Sequence, residues 1–469
     1  LKAPYTERYV RCCERTAVSH RLLLDYYGRK SMKEEELKEA QECLTFIEES
    51  MSCFHAVENV EKHLQKKGFV GLSEKEGYGL TERLRKDPEQ NRYYVKRNGS
   101  SLIAFTLPEG KPKGFHIMAS HSDSPTFKVK CEGEMKTEGG YVRLNVEPYG
   151  GMIHATWLDR CLSVAGRIVY QKGDQLLSKT VNVDEDLLVI PNVAIHMNRG
   201  MNDKLTYNPQ ADLQPLLAVE EGKEKKAGDI LMDKVAQYAG VKREDILGKE
   251  LFLYVREKGR LAGASKELII SPRLDDLACA YGSLKGFLKG DSKDYINVYA
   301  LFDNEEVGSL TKQGAASTFL RDTLRRISEE YDPSESTYLQ LLADSFMISA
   351  DNAHAMHPAH PEKADPGNRP YLNGGIVIKY HGGQKYTTDA YSEAVMRRVC
   401  RDADVPVSVY CNRSDIAGGS TLGNISAGQV SIPCVDIGLA QLAMHSSVET
   451  AGTKDIRMLV KAARSFYSM

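Results

Sequence analysis

The chain has 469 residues, and at about 150 residues per domain this length predicts two or three domains with ample interior for a buried site. Its 62 Lys and Arg against 64 Asp and Glu leave a formal charge of −2, which gives no overall positive field to hold a nucleic-acid backbone or an anionic membrane. With 42% hydrophobic and 27% charged residues, the composition excludes a chain dominated by disorder.

Residues 31–67 carry Leu37, Cys43, Phe46, Ile47, Met51, Phe54 and Val60 at helical spacings, predicting one or two amphipathic helices ended by Gly68. Residues 91–107 alternate polar and apolar around Asn98-Gly99, a pair that tolerates the positive φ of a tight hairpin. The apolar run 115–120 predicts a strand stopping in the polar loop His121-Ser122-Asp123-Ser124-Pro125. The texture then changes. Short β-like runs at 141–146, 165–170, 187–190 and 251–255, with one helix near 230–238, mark 128–265 as a mostly β insertion. From Glu267 onward, strands are predicted at 268–270, 296–302, 346–349, 376–379, 407–410 and 435–437. Helices at 277–288, 315–327, 388–401 and 455–466 alternate with them, which argues an α/β core with crossover helices.

Ten cysteines without a Cys-x-x-Cys pair disfavour a structural zinc ribbon and fit free thiols in a reducing cytoplasm. No apolar run reaches the roughly 18 residues needed to span a bilayer, and the polar opening residues lack a signal-peptide core.

The conspicuous acidic and imidazole residues fall just after predicted strands, where open α/β sheets bind ligands. Five segments contribute: His121-Ser122-Asp123, Asp275-Asp276, Asp303-Asn304-Glu305-Glu306, Asp351 and His445. Singly, each has an ordinary reading as a hydrogen-bonded or solvated group. Together, oxygen and nitrogen donors without thiolate suit hydrolytic zinc, manganese or cobalt, and two such ions need a carboxylate that can bridge.

The segments Ala119-Ser120-His121-Ser122-Asp123-Ser124-Pro125, Ser271-Pro272-Arg273-Leu274-Asp275-Asp276-Leu277, Phe302-Asp303-Asn304-Glu305-Glu306-Val307-Gly308-Ser309, Ile348-Ser349-Ala350-Asp351-Asn352-Ala353-His354 and Leu442-Ala443-Met444-His445-Ser446 resemble, in order, those of the aspartyl-aminopeptidase family of dinuclear zinc exopeptidases. The resemblance spans nearly the whole chain. It implies an α/β metallopeptidase core with a central mixed sheet flanked by helices, formed by 1–127 and 266–469, and a β-rich dimerisation domain at 128–265. It also implies two divalent ions per subunit, zinc foremost with manganese or cobalt as alternatives. One would be held by His121, Asp275 and Asp351, the other by Asp275, Glu306 and His445. Asp275 would bridge them.

The implied activity is removal of the N-terminal residue from short peptides with a free amine, by hydroxide attack with Glu305 as general base. Adjacent strand residues point to opposite faces, so Glu305 and Glu306 can share one site only from irregular backbone. Asp123 would orient the His121 ring or brace the base, against a competing reading as a turn cap. His354, Lys379, Gly418 and Gly419 match positions near the substrate. His357 and His360 receive no ligand role, because Pro358 and Pro361 break the helix that would align them. The family further implies a homo-oligomer, a tetrahedral dodecamer of dimers, with His196 reaching into a partner's active site to donate to the oxyanion. Acidic and neutral side-chain preferences remain open. The alternatives are a dinuclear N-acyl amino acid deacylase and a catalytically vestigial assembly module. No Gly-x-Ser-x-Gly elbow or Walker loop supports a different hydrolase.

Overall fold

A computed structural model describes residues 34–219 and 230–469; the opening segment, Cys12, Cys13 and residues 31–33 of the first predicted helical stretch lie outside them. That stretch divides into two helices, α1 (Glu34–Glu48) and α2 (Cys53–Gln65), because Ser50-Met51-Ser52 interrupts it. After the short strand β1 (Val70–Leu72) comes the hairpin β2 (Arg92–Arg97) and β3 (Ser101–Thr106), whose turn holds Asn98 at φ 58° and Gly99 at φ 71°. Strand β4 (Gly114–His121) is buried along its whole length.

The chain then builds a separate six-stranded sheet from β5 (Thr126–Lys136), β6 (Tyr141–Tyr149), β7 (Leu162–Lys172), β8 (Gln175–Asn182), β9 (Leu216–Val219) and β10 (Ile246–Val255), in the order β8-β7-β10-β5-β6-β9. Phe127, Leu144, Val164 and Leu251 pack there with Val235 of α3 (Ile230–Ala239). The strand expected at 187–190 is reduced to single bridges at Leu188 and Val189, with Pro191, which has no N–H to offer a ladder, following directly.

Beyond it the chain returns to the first sheet through β11 (Arg260–Ala262), β12 (Leu268–Ser271), α4 (Leu274–Phe287) and β13 (Tyr295–Phe302). There follow α5 (Phe319–Glu329), α6 (Glu335–Ala343), β14 (Phe346–Ala350), β15 (Ala353–His354), β16 (Ile376–Tyr380), α7 (Ala390–Asp402), β17 (Val407–Cys411), β18 (Cys434–Leu442), β19 (Glu449–Gly452) and α8 (Thr453–Phe466). Helix α5 starts later than expected because residues 309–316 fold back on the preceding turn, with Ser309 N donating to Asn304 O at 2.7 Å. Strand β18 is longer than expected, since Asp436 and Gln441 are polar residues buried inside it. The expectations omitted β1, β5, β8, β9, β11, β15, β19 and α6.

The large sheet runs β1-β2-β3-β13-β4-β14-β18-β19-β12-β11, with β15 and β16 paired to β18 and β17 to β16. Alternation along its strands divides the core between two faces. Phe115, Ile117 and Ala119 of β4 pack with Phe319 and Leu324 of α5. Met118 faces the other way, among residues of α1, α4 and α8. With β13 and β14 both parallel to β4, and β18 parallel to β14, four strands deliver their carboxyl ends to one edge.

Candidate metal centre

His121 ends β4 opposite Phe302, the last residue of β13, and Asp351 follows β14, its N–H donating to Ile437 O of β18 at 3.0 Å. Three strands therefore release their functional residues together. Tight backbone turns then aim the side chains. Asn304 (φ 63°) opens a single 3-10 turn over Glu305–Val307, so both glutamates leave the strand geometry that would have opposed them. Arg273 (φ 56°) precedes the first turn of α4, which carries Asp275 and Asp276, and His445 itself sits at φ 67°. These are uncommon conformations for residues with a Cβ.

Donor atoms of His121, Asp275, Asp276 and Asp351 converge within 4.8 Å of one another, as do those of His121, Glu305 and Glu306, and those of Asp275, Glu306 and His445. Asp275 is common to the first and third groups. Its Oδ1 lies 3.6 Å from His121 Nε2 and its Oδ2 lies 3.7 Å from His445 Nε2, while Glu306 Oε2 is 3.5 Å from the same His445 nitrogen.

These contacts fit cations rather than hydrogen bonds. His121 Nδ1 is 3.1 Å from the Asp123 carbonyl oxygen and His445 Nδ1 is 2.9 Å from the Gly151 carbonyl oxygen. A carbonyl only accepts, so each Nδ1 carries a proton and each Nε2 is the nitrogen directed at carboxylate oxygen. At 3.5 to 3.7 Å these Nε2–oxygen separations are too long for hydrogen bonds and leave room for a cation between the partners. Zinc bonds of about 2 Å at a tetrahedral angle separate two ligand atoms by roughly 3.3 Å, close to the observed spacings. Asp275 Oδ1 and Glu306 Oε1 are also buried without a hydrogen-bond partner, as metal-seeking oxygens would be.

The electrostatics agree. Burial, with His121 and Lys379 opposing it, pushes Asp351 up to about 6, and burial with the neighbouring carboxylates pushes Glu305 up to about 8. Glu306 is raised well above its ordinary range by burial and by Asp275. Burial works against charge on His121, yet Asp276, Asp123 and Asp275 prevail and raise it. The cluster is short of positive charge, which a bound metal ion would supply.

Asp123 is held inside the cluster rather than in a cap of its own turn. Its Oδ1 accepts from Glu305 N and its Oδ2 from Glu306 N, both at 3.2 Å, and Tyr149 Oη donates to Oδ2 at 2.8 Å. Lys379 is buried, its Nζ 3.8 Å from Asp351 Oδ1. His354 is exposed, its ring edge-on to Tyr410 at 5.7 Å. Gly418 accepts from Lys385 Nζ at 2.5 Å, and a Cβ there would meet Asn412 Nδ2 at 1.7 Å; Gly419 has open space around it. His196 does not join the centre: it lies exposed in a turn of residues 195–197 between the exposed Ile195 and Met197.

Sequence reasoning missed several participants. Asp276 Oδ2 accepts from His121 N at 3.1 Å, and Glu449 spans two ligands by accepting from Asp275 N at 3.0 Å and His445 N at 2.8 Å. Only the pairing Asp275-Asp276 carried a signal in the sequence. Among the described residues no helix is long and apolar enough to cross a membrane.

The family profile described as aminopeptidase I zinc metalloprotease (M18) matches residues 46–467. The M18 family aminopeptidase 2 of Clostridium acetobutylicum is 43% identical over 438 residues, covering 92% of this chain and 99% of that protein. The corresponding Pseudomonas aeruginosa protein is 36% identical over 431 residues, covering 91% and 97%. Among solved structures, Ape4 in complex with Nbr1 superposes with a TM-score of 0.87 at 34% identity, covering 92% of this chain and 86% of that one. The S. cerevisiae mApe1 dodecamer gives 0.78 at 29% identity, covering 91% and 96%.

Proposed function

The chain belongs to the M18 family of zinc aminopeptidases, metal-dependent hydrolases acting on peptide bonds, and on that premise we propose that it removes the N-terminal residue from short peptides at a centre of two divalent ions. The observation that carries this reading is the Asp275 carboxylate, whose two oxygens face two different imidazole lone pairs. His121, Asp275 and Asp351 would hold one ion, and Asp275, Glu306 and His445 the other. The donor set suits zinc and accommodates manganese or cobalt. Bound there, divalent ions polarise the scissile carbonyl and acidify a water.

The chain's own groups do the rest. The Glu305 carboxylate takes the water proton and returns it to the leaving amine. Asp123 fixes that carboxylate's backbone through the Glu305 and Glu306 N–H groups. Lys379, His354 and the loop at Gly418 and Gly419 border the peptide. The second sheet, within 128–265, is the dimerisation domain of a dodecamer of dimers, and 1–127 with 266–469 form the catalytic unit. Support comes from the dodecameric state of the mApe1 relative. A second support is the exposed loop in which Val193, Ile195 and Met197 are 53%, 42% and 82% accessible, an apolar edge that calls for a covering partner. His196 on that loop enters the partner's site and donates to the oxyanion. Cysteine usage favours the cytoplasm.

The test is a panel of aminoacyl substrates with free and N-acetylated amines, run after metal reconstitution with the metal content measured. Cleavage of the free amines with two ions per subunit is expected. Preference for the blocked forms would make it a deacylase, and no cleavage of either would sink the catalytic reading.

A further inference from the structure

The connection leaving the second sheet after β6 reaches both halves of the metal centre. Tyr149, the last residue of β6, is buried with its ring edge-on to Phe252 at 5.4 Å. Its Oη donates to Asp123 Oδ2 and accepts from Asn304 Nδ2, both at 2.8 Å. Burial and the Asp123 carboxylate push the phenol pKa up, so the hydroxyl keeps its proton as donor.

Asp123 in turn accepts from Glu305 N and Glu306 N, and its carbonyl accepts from His121 Nδ1. Asn304 is the left-handed residue that opens the Glu305 turn, and its Oδ1 is taken by Thr311 and Gln313 at 2.7 and 2.8 Å. Two residues beyond Tyr149, the Gly151 carbonyl fixes the His445 ring.

We propose that Tyr149 is a positioning residue: one hydroxyl from the second sheet locks Asp123 and Asn304, and through them the His121 ring and the backbone of both glutamates, so that metal affinity and base placement depend on it. The inference rests on the dinuclear reading above. Replacing the hydroxyl by hydrogen takes a charge-assisted donor from Asp123 and leaves the Asn304 amide without its acceptor.

The experiment is zinc titration of metal-stripped protein against a chromogenic chelator. Tyr149→Phe keeps the ring packing, so the metal-free protein should still fold, its melting temperature falling by only a few degrees for the two lost hydrogen bonds. Its zinc affinity should fall by about 10-fold, the lower end for lost partners of metal ligands, and kcat at saturating zinc should fall with KM little changed. In Asp123→Asn, adding Tyr149→Phe should cost less than it does in the wild type, because the part of its effect that passes through that carboxylate is already gone and only the Asn304 contact is left to lose. Asn304→Gly keeps the left-handed turn and reads the same contact from its other side. Wild-type zinc affinity in Tyr149→Phe or in Asn304→Gly, or additive penalties in the double variant, would overturn the proposal. A wild-type chain that takes up fewer than two equivalents would overturn both it and the dinuclear reading.

Discussion

Asp275 Oδ2 lies 3.7 Å from His445 Nε2, and the carbonyl of Gly151 holds the proton on the far side of that ring. The imidazole thus offers its lone pair to an acceptor-only carboxylate, which also faces His121. On the dinuclear reading, removing the charge of this carboxylate should affect both ions. Asp275→Asn is expected to retain less than one zinc per subunit, whereas Glu306→Gln should lose only the ion beside His445. Elemental analysis after dialysis distinguishes them. Equal losses would mean that Asp275 does not bridge.

Glu305 donates its backbone N–H to Asp123 Oδ1, and on the proposed reading its carboxylate carries the proton transfer. Glu305→Gln is expected to bind zinc normally and lose about 10² to 10⁴ in kcat, the range for a positioned general base. Near-normal turnover with full zinc content would assign the proton to another group.

The raised carboxylates set the sign of a pH effect. In the metal-free fold Asp351 titrates at about 6 and Glu305 at about 8, above their unfolded values near 4. Between those limits these two groups hold more protons in the folded chain than in the unfolded one, so their contribution to stability is full below about pH 4 and falls as pH rises through 6 and 8. Divalent ions bound at the centre would replace the missing positive charge. The rise in melting temperature on adding zinc should therefore widen from about pH 5 to about pH 8; a constant or shrinking rise in scanning calorimetry would contradict the charge balance.

His196 is exposed and outside its own chain's cluster. His196→Ala should lower kcat by about 10²-fold, the worth of one oxyanion donor, with zinc content unchanged. Mixing it with Glu305→Gln subunits should restore activity, since a hybrid site combines an intact Glu305 from one chain with an intact His196 from its partner. No recovery after verified subunit exchange, or a fully active monomer, would exclude the contact in trans.

Much of this molecule is written locally. The hairpin at Asn98-Gly99 follows from φ preference, and the helices α1, α2 and α8 from the spacing of their apolar faces. The acidic and imidazole residues stand out because each follows a strand. What no local pattern encodes is convergence. Parallel pairing of β4 with β13 and β14 brings Glu305 and Asp351 to the same edge as His121, from which each lies well over a hundred residues away in sequence. Buried polar positions misled the pattern, as with Asp436 and Gln441 inside β18, because hydrogen bonds formed only in the fold offset their burial. Tyr149 and Glu449 look like ordinary strand residues until tertiary packing sets a hydroxyl on Asp123 and a carboxylate across the backbones of Asp275 and His445. The sequence by itself determined which donors exist. Only the tertiary structure decided which lone pairs face one another, since that depends on how distant backbones are paired and turned.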